Sequence, residues 1–412
     1  MRILFLSPIG SIGGAERVLL TAVAGVRQTD PSAVVRVLAL SDGPLLDAAR
    51  ALGAETEVVP VPVALGKLGD SQLRSGKWLG RLALAARLML SAPSGALFVW
   101  RLRAAIGRFA PDVVHSNGIK THLLSRLVCP RRAALVWHLH DFYGLRPMAA
   151  RLLRRCRVRV RAAVAISRAV ADDTAKVLPG VPITTVLNAV DLTRFSPAAE
   201  PLDLDRLAEF PAAPAGTVRV GLVATYAHWK GHRAFLDAAR LLAAEAPQLP
   251  VRWYIIGGPI YHTTAQFTEE ELRTAAAERG LAARVGFVPF QPEPAGAYRA
   301  LDVVVHASTL PEPFGLTVVE AMACGRAVVV SAAGGAAELF TDGYDGLGVA
   351  PGDVAGLAAA VRRLADDPSL RERLGASARA TAEAHFGAAR YGPQLLDVYH
   401  RLVACPPPSH RP

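Results

Sequence analysis

Short apolar runs alternate with longer stretches of mixed polarity along most of the chain. Apolar runs of four to eight residues bounded by turn residues predict buried strands, and the stretches between them predict helices. Such alternation is typical of parallel sheets covered by helices. The predicted strands form a first set, 2–7, 34–39, 113–115, 134–138 and 162–166, and a second set, 218–224, 251–256, 285–288, 302–306 and 327–331. Two sets predict two doubly wound α/β domains.

The pattern is interrupted between the two sets. Residues 196–216 contain four prolines and several alanines, a composition that favours an irregular connection. We therefore expect an N-terminal domain over 1–195, a linker over 196–216 and a C-terminal domain over 217–385. Residues 386–412 are expected to contain a last helix, with apolar positions at helical spacing over 390–403, and a frayed proline-rich tail.

Length and composition restrict the class of protein. A chain of 412 residues with 51% hydrophobic and 20% charged residues can bury two sizeable cores, which disfavours global disorder. The four cysteines form no C-x-x-C pair, which argues against a zinc site or a disulfide framework and fits a reducing compartment. The apolar N-terminus is too short for a signal peptide, and no apolar run reaches the roughly 18 residues of a transmembrane helix. We expect a cytoplasmic protein.

Positive charge is concentrated in two stretches. The formal net charge is +11, from 46 basic and 35 acidic residues, which indicates an anionic partner or only an arginine-rich composition. Residues 146–161 contain seven arginines and no acid, and residues 67–108 combine eight basic residues with one acid and several leucines and tryptophans. Basic helices with apolar faces can lie on anionic membranes. We expect a membrane or anionic-acceptor surface here, with a solvated helix face as the alternative; no nucleic-acid motif accompanies the charge.

The most informative motif is Glu-Pro-Phe-Gly-Leu-Thr-Val-Val-Glu over residues 312–320. It follows a predicted strand. Prolines on either side of Glu312 predict a loop there. The sequence of residues 316–324 predicts a helix, which carries Glu320. Loops beyond the carboxyl ends of parallel strands are where open α/β sheets bind ligands, and a helix start suits a phosphate. The stretch therefore predicts a site for a phosphorylated sugar.

Two further strand-to-helix loops carry candidate binding groups. Gly13 and Gly14 lie in a glycine-rich loop that allows close approach of a ligand to the backbone. The loop matches neither the G-x-G-x-x-G nor the Walker pattern, and a tight turn alone would also require glycine. Lys230, immediately before Gly231, is placed to bring an ammonium group to a diphosphate. The alternative is an exposed lysine at a helix start.

Two histidines end the strand predicted over 134–138. Strand alternation places His138 and His140 on one face. His140 lies at the loop edge beside Asp141, and we expect it to meet substrate; a structural histidine is the alternative. No His/Glu pair at helical spacing is present, so no metal is expected.

Taken in the order in which they occur along the chain, the motifs resemble those of the GT-B glycosyltransferases of the large retaining group, family four. The resemblance covers nearly the whole chain, and its most specific part is the pair of glutamates at 312 and 320. The matching pieces are residues 13–17, 140–141, 186–191, 230–232, 256–258, 312–320 and 334–339.

The resemblance implies two Rossmann-like domains that face each other across a cleft. It implies transfer of a sugar from a UDP- or GDP-linked donor to an acceptor hydroxyl, with retention at the anomeric carbon and no cofactor, in envelope, polysaccharide or glycolipid synthesis. The acceptor is expected to be a sugar, a lipid-linked molecule or a small molecule. The implied catalytic residues are Glu312, Lys230 and His140, and the implied donor-binding residues are Gly13, Gly14, Lys230, Gly257, Glu312, Phe314, Gly315, Leu316 and Glu320. In these roles Glu320 holds the ribose, Glu312 the sugar hydroxyls and Lys230 the diphosphate.

One position departs from the family pattern. An arginine often stands five residues before the lysine, and here that position is Thr225. Arg326 or His228 is a candidate replacement cation, and a nucleotide-sugar-binding protein without activity is the alternative function. Paired carboxylates also hydrolyse glycosides, but the lysine and the helix start argue against a glycosidase. A dinucleotide-dependent oxidoreductase is disfavoured because the chain lacks the glycine fingerprint of that class.

Overall fold

The computed structural model describes residues 1–62, 78–259 and 265–404, and their side chains except for 78–92. Contacts divide the chain into two compact units. The first contains Met1–Ile166, Val170–Val186 and the chain from Ala389, and the second contains Ser167–Ala169 and Leu187–Ala388.

The first unit is built on a parallel sheet that has seven strands within the described residues. The order is β3-β2-β1-β4-β5-β6-β7. Its strands are β1 (Arg2–Ser7), β2 (Val34–Ala39), β3 (Glu55–Val58), β4 (Val113–Asn117), β5 (Ala134–Leu139), β6 (Val160–Ala165) and β7 (Ile183–Thr185). Its helices are α1 (Gly14–Thr29), α2 (Pro44–Ala51), α3 (Trp78–Phe109), α4 (Ile119–Val128), α5 (Pro147–Cys156), most of α6 (Arg168–Val177) and the last helix, α14 (Tyr391–Ala404).

The second unit repeats this architecture with six strands in its described part, in the order β10-β9-β8-β11-β12-β13, all parallel. The strands are β8 (Val218–Val223), β9 (Val251–Gly257), β10 (Val285–Pro289), β11 (Val303–His306), β12 (Ala327–Ser331) and β13 (Leu347–Val349). The helices are α7 (Leu204–Leu207), α8 (His232–Glu245), α9 (Glu269–Glu278), α10 (Ala295–Ala300), α11 (Leu316–Ala323), α12 (Val354–Asp366) and α13 (Pro368–His385).

Burial of the central strands explains their continuous apolar sequences. Ile3 to Leu6 of β1 and all of β11 are buried, because helices cover both faces of each sheet. The predicted fold class, two doubly wound α/β domains, is confirmed, and each predicted strand overlaps an observed one. The strands β3, β7 and β13 were not predicted. They are only three or four residues long and partly exposed at sheet edges, so they lack a long apolar run.

The segment 196–216, expected to be an inter-domain linker, lies within the second unit. Arg299 donates hydrogen bonds to the carbonyl oxygens of Ser196 and Glu200, at 3.2 and 3.1 Å. The carboxylate of Asp205 is buried and accepts hydrogen bonds from the side chains of Arg252 and Tyr254. The chain passes from the first unit to the second at Val186–Leu187 instead, because these polar contacts attach the proline-rich segment to the second sheet.

The last helix, predicted over 390–403, packs on α1 within the first unit. Gly25 and Gly392 face each other so closely that a Cβ on Gly392 would lie 2.1 Å from the carbonyl oxygen of Gly25. Two glycines therefore set the close packing of α1 and α14. The predicted tail from residue 405 and residues 67–77 of the second basic stretch lie outside the described residues. None of the helices in the described ranges combines the length and the apolar character needed to cross a bilayer.

Candidate functional site

In each sheet, successive strands are first added on one side of the first strand and then on its other side, so each sheet has one switch point. In the second unit this switch lies between β8 and β11, which are hydrogen-bonded neighbours although they are far apart in sequence. Doubly wound sheets bind ligands beyond the carboxyl ends of the strands at this position. Lys230 follows β8 and Glu312 follows β11, so the two predicted residues stand on the two loops that flank the switch point.

Lys230 and Glu312 form an ion pair there. The Nζ atom of Lys230 donates to both carboxylate oxygens of Glu312, at 3.0 and 2.9 Å. The side chains are only 18% and 10% exposed, so the pair is largely removed from water. The ammonium also lies 4.0 Å from the ring centroid of Trp229, a cation–π contact that helps to fix its position.

Polar groups at the end of β11 and in the loop after it also contact the Glu312 carboxylate. The Ser308 hydroxyl donates to Oε2 at 2.9 Å, and Nε2 of His306 lies 3.3 Å from the same oxygen. Burial alone would raise the pKa of Glu312, but the charge of Lys230 and the hydrogen bond from His306 overcome it and hold the pKa at about 2. The carboxylate is therefore ionised at neutral pH. It can accept hydrogen bonds from hydroxyl groups.

Glycines allow the backbone to pack closely around this pair. Gly231 adopts φ = +79°, and a Cβ there would lie 1.8 Å from the carbonyl oxygen of Ala307. Gly257, at the end of β9, adopts φ = +153°, and its Cβ would lie 1.9 Å from the carbonyl oxygen of Ala224. Any side chain at either position would push apart the loops after β8, β9 and β11. The predicted donor-binding residue Gly257 thus has a structural role at the switch point.

The helix that follows Glu312 carries the second glutamate. Gly315 precedes the first turn of α11 in a left-handed conformation. The first amide groups of a helix have no carbonyl acceptor within the helix, so those of α11 face the loop. Phe314 is buried and its ring packs edge-on against Phe386. Glu320 is 8% exposed, and its carboxylate accepts a hydrogen bond of 2.7 Å from the Tyr298 hydroxyl.

The backbone of Glu312 is held from the loop after β12. Its N–H donates to the carbonyl of Ala333 at 3.2 Å, and its carbonyl accepts from the N–H of Gly335 at 2.7 Å. The motif over 334–339, which supported the family resemblance but received no role, therefore positions the Glu312 loop. Tyr298 was also missed, because a tyrosine on a short helix gives no sequence signal of contact with a residue 22 positions later.

The two candidate replacements for the arginine absent at Thr225 are engaged elsewhere. Arg326 lies after the C-terminal end of α11, opposite the helix start, and donates to the carbonyl oxygens of Cys324 and Leu301. His228 is exposed, and its ring lies 4.2 Å from that of Phe267. The structure therefore does not place either residue on the Lys230–Glu312 pair.

The first unit has its own switch point, between β1 and β4. Gly13 and Gly14 follow β1, and the N–H of Gly13 donates to the Glu16 carboxylate at 3.1 Å, which caps α1. A Cβ on Gly14 would meet nothing within 4 Å, so the loop is open at this residue. Asn117 ends β4 and donates to the carbonyl of Ala15 at 3.2 Å. Asn117 is not among the predicted site residues, although a polar residue at the end of a buried strand is a signal that the sequence contains.

His140, just beyond β5, is half-buried and lies beside the end of β4. Its Nε2 is 2.5 Å from Oδ1 of Asn117, and its ring centroid is 4.1 Å from that of His138, which confirms that the two histidines share a face. Burial lowers the pKa of His140 to about 3, so the ring is neutral at physiological pH. Among the described residues, no group of three or more His, Cys, Asp and Glu is arranged to hold a metal ion.

Comparison with known proteins gives consistent results for both units. Residues 12–194 match the family model for Glycosyltransferase Family 4, and residues 206–381 match the model for Glycosyl transferases group 1. The chain is 33% identical over 224 residues to a D-inositol 3-phosphate glycosyltransferase of Arthrobacter sp. (strain FB24), a match that covers 54% of this chain and 51% of that protein. It is 32% identical over 231 residues to the lipopolysaccharide core biosynthesis mannosyltransferase LpsB of Rhizobium meliloti (strain 1021), covering 54% and 62%.

The matches to these two curated relatives span between half and two thirds of their length. A solved structure, HepE of Anabaena in complex with UDP and glucose, superposes with a TM-score of 0.78 over 98% of this chain and 100% of that one, at 24% identity. This likeness shows the fold, which is the two-domain GT-B fold. Since the two family models together extend over both units, the chain belongs to the group 1, family 4 glycosyltransferases.

Proposed function

We propose that the protein transfers a sugar from a nucleotide-diphosphate sugar to an acceptor hydroxyl, with retention of configuration at the anomeric carbon. The observation that carries this proposal is the buried Lys230–Glu312 pair at the switch point, beside the start of α11. The pair offers a cation for a diphosphate and an ionised carboxylate for sugar hydroxyls within hydrogen-bonding distance of each other. The helix start adds amide donors for an anion.

The chemistry of the transfer requires opposite charges to be stabilised at neighbouring points. When the bond from the anomeric carbon to the diphosphate breaks, its electron pair goes to the diphosphate, and positive charge develops on the sugar ring. The oxygen of the acceptor hydroxyl forms the new bond to the anomeric carbon and loses its proton. The products are the glycoside, a nucleoside diphosphate and a proton. In our proposal Lys230 and the amides before α11 stabilise the first charge, and the Glu312 carboxylate stabilises the second.

The other predicted residues take roles that follow from their positions. The backbone at Phe314, Gly315 and Leu316 binds the sugar or diphosphate, and Gly257 lets the backbone approach the nucleotide. Glu320, held by Tyr298, accepts hydrogen bonds from the two ribose hydroxyls.

We assign the predicted donor-binding residues Gly13 and Gly14 and the predicted catalytic residue His140, all in the first unit, to the same reaction. We propose a UDP- or GDP-linked donor; HepE, which shares the fold, was solved with UDP and glucose. The names of the curated relatives support a place in cell-envelope or polysaccharide synthesis. No cofactor is proposed.

A thermal-shift screen with nucleotide sugars tests donor binding. A ligand that binds only the folded state stabilises it by RT ln(1 + [L]/Kd), about 2.7 kcal/mol at 100 times Kd, so one panel identifies the base and the sugar. Glu320→Ala and Lys230→Ala should abolish the shift, while Asp397→Ala, which breaks an exposed ion pair with Arg401, should leave it unchanged. The absence of a shift with every nucleotide sugar in the wild-type protein would refute the proposal.

The second candidate function is nucleotide-sugar binding without turnover, because Thr225 stands where the family often has an arginine. The two functions differ in one measurement. Release of nucleoside diphosphate from the donor identified by the screen, with or without acceptor sugars and lipid extracts, shows chemistry. A thermal shift with no such release under any condition would favour the binding protein.

We further propose that α5 contacts an anionic membrane surface at the cytoplasmic side. Met148 and Leu152 are 49% and 40% exposed and lie one turn apart. At 100° per residue, Arg151 and Arg155 lie beside them, on the side of the helix away from the buried Leu153. An exposed face that combines two apolar and two cationic side chains matches the boundary between lipid headgroups and acyl chains.

Vesicle flotation tests this surface independently of donor binding. The protein should float with vesicles that contain phosphatidylglycerol and not with pure phosphatidylcholine. Arg151→Gln combined with Arg155→Gln should lose flotation, whereas Arg363→Gln with Arg373→Gln, exposed arginines of the second unit, should retain it. Equal flotation of both double variants would contradict the assignment.

A further inference from the structure

Asn117 links two parts of the first-unit site and has no role in the function proposed above. It is 1% exposed at the end of β4, and it stands opposite His138 in the register of β4 and β5. Its side-chain amide contacts the start of α1 on one side and the ring of His140 on the other. The amide therefore joins the glycine-rich loop region to the histidine.

The two contacts determine which ring nitrogen of His140 carries hydrogen. The carbonyl oxygen of Ala15 can only accept, so the amide nitrogen of Asn117 must face it, at 3.2 Å. The amide oxygen then faces His140 and also can only accept. Nε2 of His140, 2.5 Å away, must be the donor. A neutral imidazole with hydrogen on Nε2 has a lone pair on Nδ1, and burial keeps this ring neutral.

A second set of contacts holds the plane of the ring. The ring of His138 packs against His140, and Nδ1 of His138 lies 3.1 Å from Nε2 of His115. The other nitrogen of His115 lies 2.7 Å from the Tyr399 hydroxyl on α14. His138, His115 and Tyr399 are fully or almost fully buried. The orientation of His140 is thus supported from the interior of the unit, while its tautomer depends on Asn117.

We propose that Asn117 is a positioning residue that holds His140 in the Nε2–H tautomer, so that Nδ1 accepts a hydrogen bond from a substrate hydroxyl. The substrate part of this inference rests on the proposed function. The tautomer does not, because it follows from contacts within the first unit. His140 is then an acceptor for a hydroxyl and not a proton donor to the leaving group.

Two substitutions of Asn117 separate its contacts. Asn117→Ala removes both hydrogen bonds, whereas Asn117→Asp removes the bond to Ala15 but keeps an oxygen that accepts from His140. Ser116→Ala is the matched control, because Ser116 is the buried neighbour in β4 and bonds to Thr121 and His122 instead. A role that rests only on the bond to Ala15 would make the Ala and Asp variants alike, because both lose that bond.

The direct readout is nitrogen NMR of the full-length protein labelled with 15N-histidine, with the His140 signals assigned by their loss in His140→Gln. We expect a protonated Nε2 and an unprotonated Nδ1 in the wild type, Ser116→Ala and Asn117→Asp. In Asn117→Ala the two nitrogens should show averaged tautomers. A protonated Nδ1 in the wild type, or an unchanged tautomer in Asn117→Ala, would overturn the inference.

Kinetics with the donor found by thermal shift test the substrate contact. Loss of one hydrogen bond worth about 0.5–1.5 kcal/mol should lower kcat/KM of Asn117→Ala about 2- to 12-fold. Asn117→Asp should recover most of this loss. Equal activity of Asn117→Ala and the wild type would refute the contact between His140 and a substrate hydroxyl. Donor binding in the thermal-shift screen would still support the proposed function in that case.

Discussion

Substitution of Lys230 by methionine should destabilise the second unit by an amount that depends on pH. Methionine keeps much of the length of the side chain but removes the charge that faces Glu312. The pKa of Glu312 is about 2 in the folded protein, against an ordinary value of 4.5. At about 1.36 kcal/mol per unit, this difference corresponds to about 3 kcal/mol of stabilisation.

The sign of the pH dependence follows from the direction of the shift. A folded-state pKa below the unfolded value stabilises the protein fully above pH 4.5, and this stabilisation is lost as the pH falls from 4.5 towards 2. Without Lys230, burial dominates and the pKa of Glu312 rises. We therefore expect Lys230→Met to lose about 3 kcal/mol near pH 7, and much less near pH 3, relative to the wild type at the same pH.

Urea unfolding at pH 7, 5, 4 and 3 measures the loss. Glu312→Gln and the double variant complete a double-mutant cycle, and the double variant should be more stable than the sum of the single effects predicts, because it leaves no unpaired buried charge. Asp397→Ala is the control for ion-pair loss at an exposed site, where the side chains of Arg401 and Asp397 are 62% and 66% exposed, and should cost under about 1 kcal/mol at every pH. A loss in Lys230→Met that is the same from pH 7 to pH 3, or strict additivity in the cycle, would refute the reasoning.

Three other substitutions test the structure around the sites. In thermal melting, Gly231→Ala should destabilise the protein by several kcal/mol, because its Cβ would lie 1.8 Å from a carbonyl oxygen. Gly216 has a similar φ but open space around it, so Gly216→Ala should cost about 1 kcal/mol in the same experiment. Tyr298→Phe removes a hydrogen bond to the Glu320 carboxylate and should lower the free energy of unfolding by about 1.5–3 kcal/mol. Isothermal titration should also show weaker binding of nucleotide, and unchanged affinity would contradict the proposed contact between Glu320 and the ribose. Gly392→Ala should lower the melting temperature and accelerate hydrogen exchange in α14, since the added methyl group would push this helix away from α1; unchanged exchange in α14 would contradict that packing.

Much of the fold was predictable from the sequence, because the central strands of a parallel sheet are buried on both faces and therefore appear as uninterrupted apolar runs. Edge strands such as Glu55–Val58 have no such signature. The proline-rich segment before β8 gave a misleading signal of a boundary. Its attachment to the second unit depends on Arg299 and on the buried Asp205, whose partners are distant in sequence.

The candidate site was predictable to the level of residues but not of contacts. Glu312, Glu320 and Lys230 could be selected because each follows a strand or begins a helix in a motif of defined spacing. Their pairing could not be read from spacing, since 82 residues separate Lys230 from Glu312. Their roles in binding and catalysis stay predictions until donors and variants are measured.

The sequence by itself determined the two α/β domains, the family and the identity of the charged residues, because these depend on local periodicity and on short motifs. Only the tertiary structure decided that strand order brings the loop after β8 beside the loop after β11, and that the side chain of Asn117 contacts the ring of His140. The physical reason is that hydrogen bonds and ion pairs depend on distances of about 3 Å between side chains. Those distances are set by the packing of strands and helices that are remote in the chain.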